Sequence, residues 1–187
     1  MVYFFSPAIS YHPKIFYLTF LHFRKLIDIS RSYGVEFIFS VSPGLDLVFS
    51  SNSDLQQLLD KFCEIQKLGC KSFAILFDDI NAKLCDADSP NFESPAHAQS
   101  TVANFLLDNL GPLKYFMFCP TGNINNVLII YMLTYCLEYC ASFARPSVED
   151  STYLKNLGNL LHAEIMIMWT GELKKQLIRH TALSCHI

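Results

Sequence analysis

Short apolar runs alternate along this chain with longer segments in which apolar residues recur at helical spacing. The run Ser72–Phe77 is uncharged and mostly apolar, and it ends in the adjacent carboxylates of Asp78 and Asp79. An apolar run that is this short and bounded by charge predicts a strand buried on both faces, as in a parallel sheet. Parallel α/β folds carry their chemistry at the carboxyl ends of the strands, which makes this acid pair the first candidate site.

The rest of the chain repeats the same plan. The pattern predicts strands at 35–41, 72–77, 115–118 and 164–168, and helices at 23–34, 52–68, 96–110 and 152–161. Small, polar or aromatic residues suited to a pocket-lining loop follow each predicted strand. The alternation of strands and helices predicts an α/β fold with a parallel sheet.

The segments at these strand ends resemble glycoside hydrolase family 84, the family of the O-GlcNAcases. The similarity covers residues 23–171, and the matching segments stand in the family's order: Glu36–Asp46, Gly69–Asp79, Phe92 with Ala96–Gln99, Phe118–Thr121, Glu138–Cys140 and Trp169–Gly171. One such segment is weak evidence, whereas several in the right order are specific. The resemblance implies a β-N-acetylglucosaminidase that hydrolyses O-linked N-acetylglucosamine from Ser and Thr of proteins.

The resemblance also implies a fold, a partial TIM (β/α)₈ barrel. About four parallel strands are expected, the third to the sixth, with helices between them. Residues 1–22 and 172–187 match nothing in the family. The family's first, second and seventh strands carry residues that hold the sugar, and none of these is matched. We therefore expect little or no activity from this chain alone, and open sheet edges that favour aggregation.

One segment departs from the family's spacing. The Cys-Pro-Thr sequence that ends at Thr121 is followed directly in the family by the Glu-Tyr-Cys sequence, which starts here at Glu138. The intervening residues 122–137 are biased toward Asn, Ile, Leu and Tyr. This bias is typical of translated non-coding sequence, so we hypothesise a retained intron or a gene-model error, and residues 1–22 and 172–187 share the same character. A mature transcript that encodes all three segments would contradict the hypothesis.

The resemblance assigns roles to the two acids. In substrate-assisted retaining catalysis the nucleophile is the 2-acetamido oxygen of the sugar itself, and the product of its attack is an oxazoline. Asp78 would hold the acetamido N–H, while Asp79 would protonate the leaving oxygen and then deprotonate water. The second role requires a raised pKa at Asp79. Without the resemblance, the pair could equally be a solvated strand end or a helix N-cap.

Three further residues are expected to bind the substrate. Tyr139 matches a family tyrosine at the acetamido pocket, although the segment 122–137 puts its placement in doubt. Cys119 lines the same pocket in the family, and Trp169 and Tyr139 are candidates for stacking on the sugar. The competing explanation is ordinary packing: a cysteine is commonly a small buried hydrophobe, and aromatic residues near strand ends are commonly part of the core.

The remaining chemistry argues against other classes of protein. A net charge of −3 gives no electrostatic basis for binding nucleic acid. The polar loop with Asp86, Asp88 and Asn91 departs from calcium-loop spacing, and Cys185 with two nearby histidines lacks a fourth zinc ligand, so no metal or cofactor is expected. No apolar stretch has the features of a signal peptide or a membrane anchor.

The seven cysteines are scattered, which favours free thiols in a reducing compartment. We therefore expect a cytoplasmic and nuclear protein whose partners are O-GlcNAc-modified proteins, and it stays open whether the full-length parent is a homodimer. Two alternatives also stay open. One is a non-catalytic fragment that binds glycopeptides or another partner, and the other is a bacterial-style hexosaminidase that acts on extracellular glycans.

Overall fold

A computed structural model describes residues 2–5, 13–78, 80, 83–121 and 151–168, with side chains from residue 20 onward. Five strands alternate with four helices along the described chain. In chain order they are β1 Val2–Phe5, α1 Pro13–Ser32, β2 Ile38–Val41, α2 Asn52–Lys67, β3 Ser72–Leu76, α3 Pro95–Leu110, β4 Tyr115–Cys119, α4 Thr152–Leu160 and β5 Ile165–Ile167.

All five strands belong to one parallel sheet whose spatial order is the chain order, β1-β2-β3-β4-β5. A helix connects each strand to the next, which is the plan of a partial (β/α)₈ barrel. The predicted fold class and its four strands are confirmed. Because every strand runs the same way, all the carboxyl ends lie along one edge, called the carboxyl rim below.

The amino-terminal part of the chain differs from the sequence prediction. β1 pairs with β2, Val2 opposite Ile38, in a segment for which no element was predicted. Helix α1 begins at Pro13, ten residues before the predicted start at 23. Proline is compatible with this position, because the first turn of a helix has no use for the missing N–H and favours the fixed φ of proline.

Strand β3 is buried on both faces, as its apolar run predicted. Phe73 and Ile75 point toward the helices and belong to the main hydrophobic core. Ala74 and Leu76 point to the opposite face, where they form a small cluster with Cys119 of β4. The alternation follows from the two-residue period of a strand, and it leaves the even-numbered positions of β3 facing the interior of the partial barrel.

The main core lies between the sheet and the helices. The apolar face predicted for α2 is buried, and Phe62 from that helix is fully enclosed. Its ring packs against Phe39, Phe73 and Phe116, with centroid distances of 6.2, 5.5 and 6.4 Å. One aromatic side chain thus contacts three neighbouring strands, which fixes α2 over the centre of the sheet.

The amino-terminal edge of the sheet carries an ionic cluster. The hydroxyl of Ser72 and the ammonium group of Lys114 both donate to the Glu36 carboxylate. Burial raises the pKa of Glu36, but the hydrogen bonds from Lys114 and Ser72 outweigh it and hold that pKa below its usual value. This edge is therefore satisfied internally, opposite the carboxyl rim. Within the described residues, no helix is both long and apolar enough to cross a bilayer.

Candidate functional site at the carboxyl rim

Asp78 lies at the carboxyl rim, two residues beyond the end of β3. Leu76 and Cys119, the last residues of β3 and β4, are opposite each other in the sheet register. The Phe77 amide donates to the Cys119 carbonyl at 2.9 Å, and the Ile80 amide donates to the Phe77 carbonyl at 3.2 Å. The first bond extends the ladder to the residue before Asp78, and the second turns the chain immediately after it. Asp78 is therefore held where the sheet ends.

The carboxylate of Asp78 is only partly exposed. The residue is half-buried, and its Oδ1 atom is shielded from solvent. An acid that follows a buried strand in this way is well placed to act on a ligand at the mouth of a partial barrel. The position is consistent with the predicted contact to an acetamido group, which stays a prediction.

Cys119 faces the same interior surface as the residues below Asp78. It is 5% exposed and packs in the cluster with Ala74 and Leu76. This position at the strand end suits a residue that lines a pocket, and its burial equally suits a small hydrophobe. The substrate-binding role of Cys119 stays a prediction.

Three of the predicted site residues, Asp79, Tyr139 and Trp169, lie outside the described residues. The chain is described up to Met168, the residue before Trp169. The Met168 amide donates to the Phe118 carbonyl at 2.8 Å. Strand β5 is thus joined to β4 up to the carboxyl rim. The proposed roles of the three residues stay predictions from the family resemblance.

A closed ring of hydrogen bonds lies behind the rim. The Gln99 side-chain amide donates to Thr121 Oγ1 at 2.6 Å, and the Thr121 backbone amide donates to the Tyr153 hydroxyl at 3.1 Å. The Tyr153 hydroxyl donates to Gln99 Oε1 at 2.6 Å, which closes the ring. Gln99 and Thr121 are each 1% exposed. The ring joins α3, the segment after β4 and α4 at a single buried point.

The protonation state of Tyr153 keeps this ring intact. Burial raises the pKa of the Tyr153 hydroxyl to about 12, even though its hydrogen bonds with Thr121 lower it. The hydroxyl therefore retains its proton across the physiological range and continues to donate to Gln99.

A buried carboxylate ties together two loops at the same rim. Asp88, in the loop between β3 and α3, is fully buried. It accepts hydrogen bonds from the backbone amides of Phe49 and Ser50, at 3.0 and 2.7 Å, and from the Cys85 thiol at 3.2 Å. The loop that leaves the acid pair is thereby anchored to the loop between β2 and α2. Burial raises the pKa of Asp88, but the bonds from Ser50 and Phe49 outweigh it, so that the pKa lies below its ordinary value.

Replacing Asp88 with Ala should destabilise the fold by about 2–4 kcal/mol, because the buried amide of Phe49 and the partly buried amide of Ser50 lose their acceptor. The folded pKa of Asp88 is depressed, so its contribution is present above the ordinary value of 3.8 and is lost as the pH falls through the folded pKa. Chemical denaturation of both proteins at several pH values measures the difference. Asp86→Ala, at an exposed position in the same loop, is the control. Equal stability of the two variants at neutral pH would contradict this assignment.

The sequence did not reveal the hydrogen-bonded ring, and it gave no structural role to the loop that contains Asp88. Gln99 and Thr121 belong to segments that carry the family resemblance, but their contact is not visible in either segment alone. The dense polar residues around Asp88 were compared with a calcium loop and rejected, and the structure shows that this carboxylate binds backbone amides instead. The described residues contain no cluster of three or more His, Cys, Asp or Glu side chains that could hold a metal ion.

Comparison with known proteins places the chain in a family of glycosidases. The model of the β-N-acetylglucosaminidase family matches residues 17–181. The chain therefore belongs to this family. The matched residues 17–181 include every candidate site residue.

Two curated relatives define the similarity more closely. The chain is 36% identical over 175 residues to Protein O-GlcNAcase of Rattus norvegicus, and 35% identical over 175 residues to that of Mus musculus. These alignments cover 90% of this chain but 17% of each relative. The chain thus spans about a sixth of the length of the curated relatives it matches.

A solved structure supports the same family and the fold. A mutant O-GlcNAc hydrolase of Thermobaculum terrenum superposes with a TM-score of 0.65 and 26% sequence identity. The match covers 90% of this chain and 34% of that structure. The parallel sheet and its helices therefore correspond to part of a glycoside hydrolase family 84 enzyme.

Proposed function

We propose that this chain supplies the acid pair and the acetamido side of the active site of a protein O-GlcNAcase. The observation that carries the proposal is the position of Asp78 at the carboxyl rim, directly after Phe77, whose amide donates to the carbonyl of Cys119 at the end of β4. Membership in the β-N-acetylglucosaminidase family supports it. The substrates would be proteins that carry N-acetylglucosamine on Ser or Thr.

The proposed reaction retains the anomeric configuration through two displacements. In the first, Asp78 accepts a hydrogen bond from the acetamido N–H, and the acetamido oxygen attacks the anomeric carbon. The glycosidic bond breaks, and Asp79 gives its proton to the Ser or Thr oxygen that leaves. In the second, Asp79 takes a proton from water, the water oxygen attacks the anomeric carbon, and the oxazoline ring opens to the free sugar.

The two carboxylates do different work in this scheme. Positive charge develops on the acetamido group as its oxygen attacks, so an anionic Asp78 next to the N–H stabilises the transition state. Because the nucleophile belongs to the substrate, no external group has to be brought to the anomeric carbon. The partial burial of Asp78 strengthens this interaction, since a charge shielded from water acts over a lower local dielectric.

We further propose that the chain alone has little or no activity. Its described residues form five parallel strands, whereas a closed barrel of this class has eight. Groups that hold the remaining sugar hydroxyls would come from the other strands. The acid pair would then be present without most of the binding energy that orients the substrate.

A hybrid enzyme tests both proposals together. In this hybrid, residues 17–181 of this chain, which the family model matches, replace the corresponding segment of the rat Protein O-GlcNAcase. Turnover of a fluorogenic N-acetylglucosaminide is then measured. We expect turnover by the hybrid and none above background by the chain alone. An inactive but folded hybrid would contradict the assignment of the site. Turnover by the chain alone that is lost in Asp79→Ala would contradict the proposed impairment.

We propose the cytoplasm and nucleus as the compartment of this protein. The support is that Cys63, Cys70 and Cys85 form no disulfide in the part of the chain that the structure describes, as expected of a reducing environment. Imaging of the fluorescently tagged chain in cells tests the proposal, and recovery of the protein from the culture medium would contradict it.

A further inference from the structure

Beyond the acid pair, one buried group of side chains is connected to the backbone that carries Asp78. The ring formed by Gln99, Thr121 and Tyr153, called the Gln99 ring below, is almost fully shielded from water at two of its members. Its three hydrogen bonds have donor–acceptor distances from 2.6 to 3.1 Å, and each member is bonded to both of the others. Buried polar side chains cost free energy unless they are satisfied, and here they satisfy one another.

The Gln99 ring acts on a specific stretch of backbone. Thr121 lies two residues after Cys119, in the segment where the chain leaves β4. Its backbone amide and its hydroxyl oxygen both take part in the ring, so this segment is held at two atoms. Because Thr121 is held, the residues that follow Cys119 restrain the position of the Cys119 carbonyl.

The Cys119 carbonyl in turn accepts the amide of Phe77, at 2.9 Å. Phe77 is the residue before Asp78, and its ring is fully buried against Phe118, with a centroid distance of 5.1 Å. A continuous path therefore runs from the Gln99 ring through the segment after β4 to the backbone that holds Asp78. Each step of the path is a hydrogen bond or a covalent connection of one or two residues.

We propose that Gln99 and Tyr153 are positioning residues of the active site, which set the place of Asp78 through the segment after β4 that contains Thr121. This inference rests on the proposed function for its catalytic meaning, but its structural part stands without it. Neither side chain has to touch the substrate. Their effect would be to keep the acetamido-binding carboxylate within the narrow range of positions that catalysis tolerates.

A second amide on the same helix provides a matched control. Asn104 of α3 donates to the Leu160 carbonyl at 2.8 Å and accepts the His162 amide at 2.9 Å. Like Gln99, it uses both ends of its side-chain amide, but both of its bonds join α3 to the end of α4 and the residues after it. Neither bond involves Thr121, so its loss weakens the packing of the two helices without releasing the segment after β4.

The test compares Gln99→Leu and Tyr153→Phe with Asn104→Leu in the full 187-residue chain. Circular dichroism confirms folding, and amide hydrogen exchange by nuclear magnetic resonance reports on Phe77, whose amide is bonded to the Cys119 carbonyl. We expect exchange at this amide to rise roughly tenfold in both ring variants and to stay unchanged in Asn104→Leu. The same exchange in all three variants, or no change in Tyr153→Phe, would overturn the proposal.

The hybrid enzyme supplies the kinetic readout. Tyr153→Phe and Gln99→Leu should each lower kcat by roughly 10- to 100-fold, since a misplaced catalytic group costs rate rather than only stability. Asn104→Leu should leave kcat within about twofold, in line with a surface helix contact. Unchanged kcat in both ring variants would overturn the positioning role. If the unmodified hybrid is inactive, the proposed function fails, while the exchange experiment still decides whether the ring holds Asp78.

Discussion

Replacing Asp79 with Asn should reduce turnover of the hybrid by about 10²- to 10⁴-fold, the range that general acid–base catalysis contributes. The loss should depend on the leaving group. A glycoside with a phenol of low pKa leaves without much help from an acid, so Asp79→Asn should cost far less on that substrate than on a glycopeptide. Steady-state kinetics on the two substrates measures this difference.

Replacing Asp78 with Asn should cost a similar factor, but equally for both leaving groups. Asp78 is proposed to act on the acetamido group, whose attack is needed whichever oxygen departs. Asp86→Asn is the control, because this exposed aspartate lies in the same loop and has no proposed role. If Asp78→Asn and Asp79→Asn showed the same dependence on the leaving group, the division of roles between them would be wrong.

Deleting residues 122–137 should raise turnover of the hybrid by roughly tenfold or more. The deletion joins Thr121 directly to Glu138 and restores the spacing that the family resemblance implies. Tyr139 would then follow β4 at the sequence spacing of the family tyrosine that contacts the acetamido pocket. A catalytic or binding group displaced by even a small distance costs a large factor in rate, which is the reason for the expected gain.

Tyr139→Phe provides the control for this deletion. In the shortened hybrid the substitution should remove most of the gain, whereas in the hybrid that retains 122–137 it should have little effect. An equal effect of Tyr139→Phe in both hybrids would show that the segment does not govern the placement of this tyrosine. A loss of activity on deletion would contradict the view that 122–137 is an unmatched insertion.

Local patterns in the sequence were sufficient to predict most of the fold. Strand β3 was predictable because its apolar run has no charge and ends abruptly, and α2 because its apolar residues fall on one face. β1 was not predictable, since it is a four-residue strand whose identity depends on pairing with β2 more than thirty residues away. The early start of α1 was missed because the helical spacing of apolar residues was followed only from Phe23, although Pro13 is suited to the first turn of a helix.

The site was predictable only where it follows from a strand end. The place of Asp78 is a consequence of the carboxyl end of a buried parallel strand, so the sequence pattern leads to it directly. The ring of Gln99, Thr121 and Tyr153 requires three distant segments to meet, and Asp88 binds amides almost forty residues away. Such contacts are fixed by the packed sheet and helices, and no local pattern contains them.

The central claim is that the acid pair acts on the acetamido group of an aminosugar, and a matched pair of substrates tests it most directly. The hybrid is given a fluorogenic N-acetylglucosaminide and the otherwise identical glucoside, in which a hydroxyl replaces the acetamido group. The account predicts turnover of the first and none above background of the second, because only the first carries its own nucleophile. Comparable turnover of the glucoside would contradict it.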